Sequence, residues 1–110
     1  MDTSEKKRER KILIAGPCVI NNYHESSIIA QYLYDVSKEY EFDLIFKGSY
    51  KKANRTSASS FTGMDPIESL EILRCISGEY EIPVITDVHE SPDVNIVSKY
   101  VTHLQIPAFL

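Results

Sequence analysis

Apolar residues in this chain come in short bursts separated by longer amphipathic stretches. Ile12 to Ala15 form the first burst, and Gly16-Pro17 stops it. Ile29, Leu33, Val36 and Tyr40 then recur at helical spacing, which predicts a helix over 25–40 with one apolar face. Leu44 to Lys47 read as a second strand. Asp65-Pro66 opens a second helix, with Asp at the N-cap, Pro at the first helical position and Glu68 at the third. Leu70, Leu73 and Ile76 supply its buried stripe, and Gly78 stands near its exit. Pro83 to Thr86 read as a third strand, followed by a loop over Asp87 to Glu90. Ser91-Pro92 starts a third helix, in which Val94, Val97 and Val101 face inward. Leu104 to Ile106 complete the series as a fourth strand.

The order is βαβαβαβ, and the strands are nearly continuous apolar runs. That combination marks a parallel sheet covered by helices. Periodicity alone does not separate an open doubly wound sheet from half of a barrel. No Gly-x-Gly-x-x-Gly follows the first strand, so the dinucleotide-binding version lacks its main support. The first half of a (β/α)8 TIM barrel fits better, because a full barrel takes about 250 residues.

Composition adds constraints to this outline. The 110 residues are 43% hydrophobic and 25% charged, values of a soluble globular protein, and the net charge is −4. No global basic field argues for nucleic acid. No apolar run approaches the roughly 20 residues that span a bilayer. Residues 1–10 form a charged N-terminal tail, MDTSEKKRER, ahead of a domain over 11–110. The apolar run after the tail is too short for a signal peptide, so the expected compartment is the cytoplasm. Cys18 and Cys75 lie in different contexts, which argues against a disulfide. Asn54-Arg55-Thr56 fits a glycosylation sequon but has no secretory context.

The unusual polar residues all fall at the carboxyl ends of predicted strands. Cys18 follows the first, Lys47 to Ser57 the second, Asp87 and His89 the third, and Gln105 sits in the fourth before Pro107. In parallel α/β folds that edge is where active sites are built. The stretch from Lys47 to Ser57 holds four cations and no acid, with hydroxyl and amide donors between them. Such a set suits phosphate or carboxylate groups; the alternative is a solvated basic loop. The region from Gly48 to Asp65 has no apolar period and is long for a structureless connection, which points to function or disorder. Cys18 reads either as a small buried residue or as a ligand for a borderline divalent ion. Asp87 and His89 lie on one side of an extended segment, either as reacting groups or as a pair that holds the loop. His24 and His103 carry no pattern, the tyrosines read as packing, and Cys75 reads as structural.

Four runs, in this order and spacing, resemble the 3-deoxy-D-manno-octulosonate 8-phosphate synthase family. They are Ile14 to Cys18, Phe46 to Ser57, Thr86 to Glu90, and Leu104 to Leu110. The resemblance covers Lys11 to Leu110 and corresponds to the first half of the family's barrel. It implies condensation of phosphoenolpyruvate with D-arabinose 5-phosphate, with release of phosphate, in lipopolysaccharide sugar synthesis. It also implies that Lys47 and Lys52 face phosphoenolpyruvate with help from Ser49. Asn54, Arg55 and Thr56 would face the arabinose phosphate, the last two reaching a neighbouring subunit's site in a homo-oligomer, a tetramer by resemblance. Lys52, Asp87 and His89 would carry the chemistry, with Gln105, Pro107 and Ala108 forming the phosphoenolpyruvate wall. Cys18 matches a ligand for a divalent metal cation in the metal-dependent subclass; the metal-independent subclass has Asn there.

Lys51, Ser59 and Thr62 depart from the residues many relatives carry, and Gly63-Met64-Asp65-Pro66 replaces a frequent Gly-Pro-Gly turn. The family's remaining metal ligands, and a lysine and an arginine that clamp phosphate, belong to the second half of its barrel. The expectation is therefore a 110-residue chain without turnover of its own. Two other readings compete: a half-barrel that only binds phosphorylated ligands or assembles with a partner, and a related sugar-acid synthase.

Overall fold

A computed structural model describes residues 9–50 and 65–108 of the chain. The elements are β1 (Ile12–Ala15), α1 (Tyr23–Tyr40), β2 (Asp43–Lys47), α2 (Pro66–Tyr80), β3 (Val84–Asp87), α3 (Asp93–Val97) and β4 (His103–Gln105). All neighbouring strands pair in parallel, in the order β1-β2-β3-β4. A doubly wound sheet reverses its strand order at a switch point. Here the order steps one way only, and right-handed crossovers then place every helix on the same face. This is the architecture of the first half of a (β/α)8 barrel.

Strand register divides the side chains between two faces. Leu13 pairs with Leu44, Ala15 with Phe46, Phe46 with Val84, and Thr86 with Leu104. That set faces the helices. Phe46, Val84 and Thr86 are fully buried there, and the core adds Leu70, Leu73 and Ile76 from α2 and Val97 from α3. The alternate set is Ile12, Ile14, Ile45, Lys47, Ile85, Asp87, His103 and Gln105. Its β1 end is uncovered: Ile12 is 63% and Ile14 51% exposed.

Helix starts follow the sequence signals with one shift. Asn22 caps α1 by accepting from the Glu25 amide at 2.8 Å, so the helix begins at Tyr23 rather than 25. Asp65 caps α2 through the Ile67 amide at 3.2 Å, with Pro66 in the first turn. The exits differ from expectation. Gly78 lies inside α2, and the left-handed residues that close α1 and α2 are Glu41 (φ 60°) and Glu81 (φ 54°). Both belong to the same motif, Ser-x-Glu-Tyr-Glu followed by an apolar residue, at Ser37–Phe42 and Ser77–Ile82. In each copy the amides of the second Glu and the following apolar residue bond the Ser carbonyl. These two bonds close the helix where glycine usually does.

Other expectations need correction. Tyr40 is 61% exposed, because the chain has begun to leave α1 there. α3 is a five-residue helix, so Val101 packs against the core from the following turn and Val94 remains 36% exposed. The strands β2, β3 and β4 sit one residue from their expected bounds. Cys75, read as structural, is exposed on α2. Of the charged tail, Arg10 is fixed to the fold: its guanidinium bonds the Asp43 carboxylate at 2.6 Å and the Phe42 carbonyl at 2.9 Å. Tyr23 bridges α1 to α2 through Glu79, and that hydrogen bond pushes its hydroxyl up to about 12. Among the described residues, no helix is long and apolar enough to cross a membrane.

Two outcomes are expected. A glutamate at a left-handed position carries backbone strain that glycine lacks, so Glu81→Gly should raise stability by about 1 kcal/mol in a denaturant titration; a loss of stability would refute strain at that exit. Residues 1–110 expressed alone should self-associate through the uncovered isoleucine face, measured by light scattering. A monodisperse, cooperatively unfolding monomer would contradict that.

Candidate active site

The carboxyl ends of the strands collect the polar members of the face turned away from the helices. Lys47 ends β2 and Asp87 ends β3, with Asp87 opposite Gln105 in β4. Ser49 lies two residues beyond Lys47 and His89 two beyond Asp87, so alternation keeps all five on one side. The Ser49 hydroxyl donates to Asp87 Oδ1 at 2.8 Å. His89 Nε2 stands 3.1 Å from Asp87 Oδ2, and both side chains are about four-fifths buried. The nitrogen is close enough for an ion pair but is not aligned as a hydrogen bond. Asp87 thus bridges a hydroxyl and an imidazole, and its strand-end position fixes it relative to Lys47.

The first strand reaches this edge through a bulge. Ala15 pairs with Phe46, and pairing resumes at Val19 with Ser49. Three residues, Gly16 to Cys18, therefore oppose two, Lys47 and Gly48. The Ser49 amide bonds the Cys18 carbonyl at 2.8 Å, and the Ile20 amide bonds the Ser49 carbonyl at 3.1 Å. The extra residue is accommodated by a left-handed Cys18 (φ 47°) and by close approach at two glycines. A Cβ at Gly16 would fall on the Lys47 carbonyl, and one at Gly48 would stand 2.5 Å from Ile20 Cδ1. Cys18 is exposed, which excludes the small-buried-residue reading.

The fourth strand adds its own end. The Val88 amide bonds the Gln105 carbonyl at 2.9 Å, carrying the β3–β4 pairing one step past the strand. Gln105 and Ala108 are exposed and Pro107 is half-buried. Lys52, Asn54, Arg55 and Thr56 lie outside the described residues, as do Lys51, Ser59 and Thr62. The structure therefore brings together Lys47, Ser49, Asp87, His89 and Gln105, with Cys18 on the adjoining bulge.

Three contributors do not stand out in the sequence. Gly16 and Gly48 are struts of the bulge, visible there only as a glycine beside each strand end. Tyr50 looks like one more packing tyrosine. It is buried, yet its hydroxyl donates to Asp93 Oδ2 at 3.1 Å. A cavity of about 510 Å³ opens at the opposite, amino-terminal edge of the sheet, among Arg10, Tyr34, Lys38, Asp43, Tyr80 and His103. None of the candidate residues lines it.

Chemically, the cluster offers an ammonium group, a carboxylate held from two sides, an imidazole able to carry a proton, and a side-chain amide. This suits a polar, anionic ligand whose reaction needs proton transfer. A metal is less well provided for. Cys18 offers one sulfur, but no three His, Cys, Asp or Glu side chains converge among the described residues. One donor does not make a metal centre.

A parallel half-barrel with lysine, carboxylate and imidazole groups at its carboxyl edge carries them where (β/α)8 barrels build their sites. The sequence comparisons give the particular family. A sequence model of the DAHP synthetase I family matches residues 3–110, and the chain belongs to that family. It is 42% identical over 110 residues to the 2-dehydro-3-deoxyphosphooctonate aldolase of Helicobacter pylori strain P12, covering 100% of this chain and 40% of that protein. It is 42% identical over 105 residues to 2-dehydro-3-deoxyphosphooctonate aldolase 1 of Arabidopsis thaliana, covering 96% of this chain and 36% of the relative. The corresponding enzyme of Francisella tularensis matches at 43% over 98 residues, covering 89% of this chain and 36% of the relative. The chain thus spans about two fifths of the length of these curated relatives.

The left-handed backbone at residue 18 makes a specific prediction. Asparagine tolerates that conformation and a β-branched residue does not. Cys18→Asn should keep the melting temperature close to that of the parent, whereas Cys18→Val should lower it. Equal melting temperatures would mean that the bulge does not constrain residue 18.

Proposed function

We propose that this chain forms the first half of a synthase that condenses phosphoenolpyruvate with D-arabinose 5-phosphate. The products would be 3-deoxy-D-manno-octulosonate 8-phosphate and inorganic phosphate, with one water consumed. The observation that carries the reading is the junction of Lys47, Ser49, Asp87, His89 and Gln105 at one strand edge, within a family whose named relatives make this product. Lys47 and Lys52 supply point charge to the phosphoenolpyruvate anion. Asn54, Arg55 and Thr56 take the phosphate of the aldose. Asp87 and His89, held together, manage protons at the reacting carbons, and Gln105, Pro107 and Ala108 form the wall. Cys18 would supply one ligand to a divalent cation whose other ligands come from outside residues 1–110. The assembly is a homo-oligomer, and the setting is the cytoplasm.

The test is a phosphate-release assay on the protein at its full natural length, with arabinose 5-phosphate and other aldose phosphates compared. Turnover confined to another aldose phosphate would assign a related sugar-acid synthase, and binding without turnover would assign a ligand-binding half-barrel. Within an active protein, Arg55→Ala should weaken arabinose 5-phosphate more than phosphoenolpyruvate. Loss of one charge-assisted hydrogen bond removes ~1.5–3 kcal/mol, roughly one to two decades of affinity. Lys52→Ala should instead impair phosphoenolpyruvate use. Identical effects of both changes on both substrates would reduce the segment to a diffuse positive patch.

A further inference from the structure

Ser49 and Tyr50 are consecutive, so strand alternation points them to opposite faces of the sheet. Each bonds the chain that leaves β3. On the face turned away from the helices, the Ser49 hydroxyl donates to Asp87 Oδ1 at 2.8 Å. On the helix face, the Tyr50 ring is buried in the core with Ile20, Leu70, Val88 and Val97, and its hydroxyl donates to Asp93 Oδ2 at 3.1 Å. Asp93 is the first residue of α3. His89 lies between these two anchored aspartates.

We infer that Tyr50 and Asp93 form a positioning pair that sets the place of His89 in the candidate site, acting through the segment from Val88 to Pro92. The inference rests on the synthase reading above for its kinetic consequence, though not for its structural one. The segment already has fixed points: the Val88 amide on the Gln105 carbonyl at 2.9 Å and the Asp93 amide on the Glu90 carbonyl at 3.0 Å. Neither fixes the start of α3 relative to β2, the strand that carries Lys47. The Tyr50 hydroxyl does so, from beneath the site and without being in it. Burial in an apolar core keeps the phenol protonated, and the Asp93 carboxylate reinforces this, so the donor persists across the working range of an enzyme. A phenylalanine would fill the same volume and leave the carboxylate without this donor.

The experiment compares Tyr50→Phe, Asp93→Asn and Asp93→Ala in the protein at its full natural length. The His89 imidazole carbon resonance, the melting temperature and steady-state kinetics are read on each. Tyr50→Phe and Asp93→Ala should shift the His89 resonance and lower kcat by roughly ten- to hundredfold, as displacement of a reacting group does. KM should move less than kcat. Asp93→Asn keeps an acceptor oxygen and should recover most of the rate. The double variant Tyr50→Phe with Asp93→Ala should be no worse than either single change, because both break one contact. If Tyr50→Phe lowers the melting temperature but leaves the His89 resonance and kcat unchanged, the contact is structural only and the inference falls. If the parent protein has no synthase activity, the proposed function fails, while the His89 resonance still decides the positioning role. Should Asp93→Ala fail to fold, the comparison of Tyr50→Phe with Asp93→Asn decides the same question.

Discussion

Everything at the carboxyl edge of this sheet depends on how closely β1 can lie against β2. The approach is between main chains, with the backbone of Gly16 against the Lys47 carbonyl, and no side chain could stand between them. Beside that contact β1 carries an extra residue, Cys18 is left-handed, and the Cys18 carbonyl accepts from the Ser49 amide. Ser49 is held at both its main chain and its hydroxyl, and through that hydroxyl it orients the carboxylate of Asp87 at the end of β3. A steric limit at one glycine is thus passed along three strands to the groups that can do chemistry.

Most of the fold is legible in the sequence because its signals are strong and local. Asp65-Pro66 specifies a helix start by hydrogen bonding and by a fixed φ, and the helix begins there. The apolar runs give parallel strands because only a sheet covered by helices buries such runs. The helix exits are harder to see. Glycine, the usual stop signal, points to Gly78, which has open space around it and lies within α2. The working signal is a repeated Ser-x-Glu-Tyr-Glu, which terminates each helix by bonds to a serine carbonyl. A propensity scale does not register it, since glutamate favours helices.

The site is legible in outline for a different reason. Alternation alone places Lys47, Ser49, Asp87, His89 and Gln105 together once the strands are in register, so residue spacing carries that information. Which atoms meet is not in the sequence. Asp87 turns one oxygen to Ser49 and the other to His89, and this depends on the β2–β3 register to a single residue. Tyr50 stays hidden because a buried tyrosine at a strand end looks like packing until its hydroxyl finds a carboxylate.

Core and chemistry here are two phases of one alternation. Phe46 and Gly48 face the helices, while Lys47 and Ser49, their immediate neighbours, face the site. A single residue inserted before Phe46 would exchange the two sets, sending an ammonium group into the apolar layer and a phenyl ring to the reacting edge. Such an insertion would also carry Lys47 into the place of Gly48, where a Cβ stands 2.5 Å from Ile20 Cδ1 and the isoleucine would have to move. The strand therefore tolerates change in residue type on its outer rows far better than any change in length. Its reading frame is kept by shape, independently of whether the site is ever used.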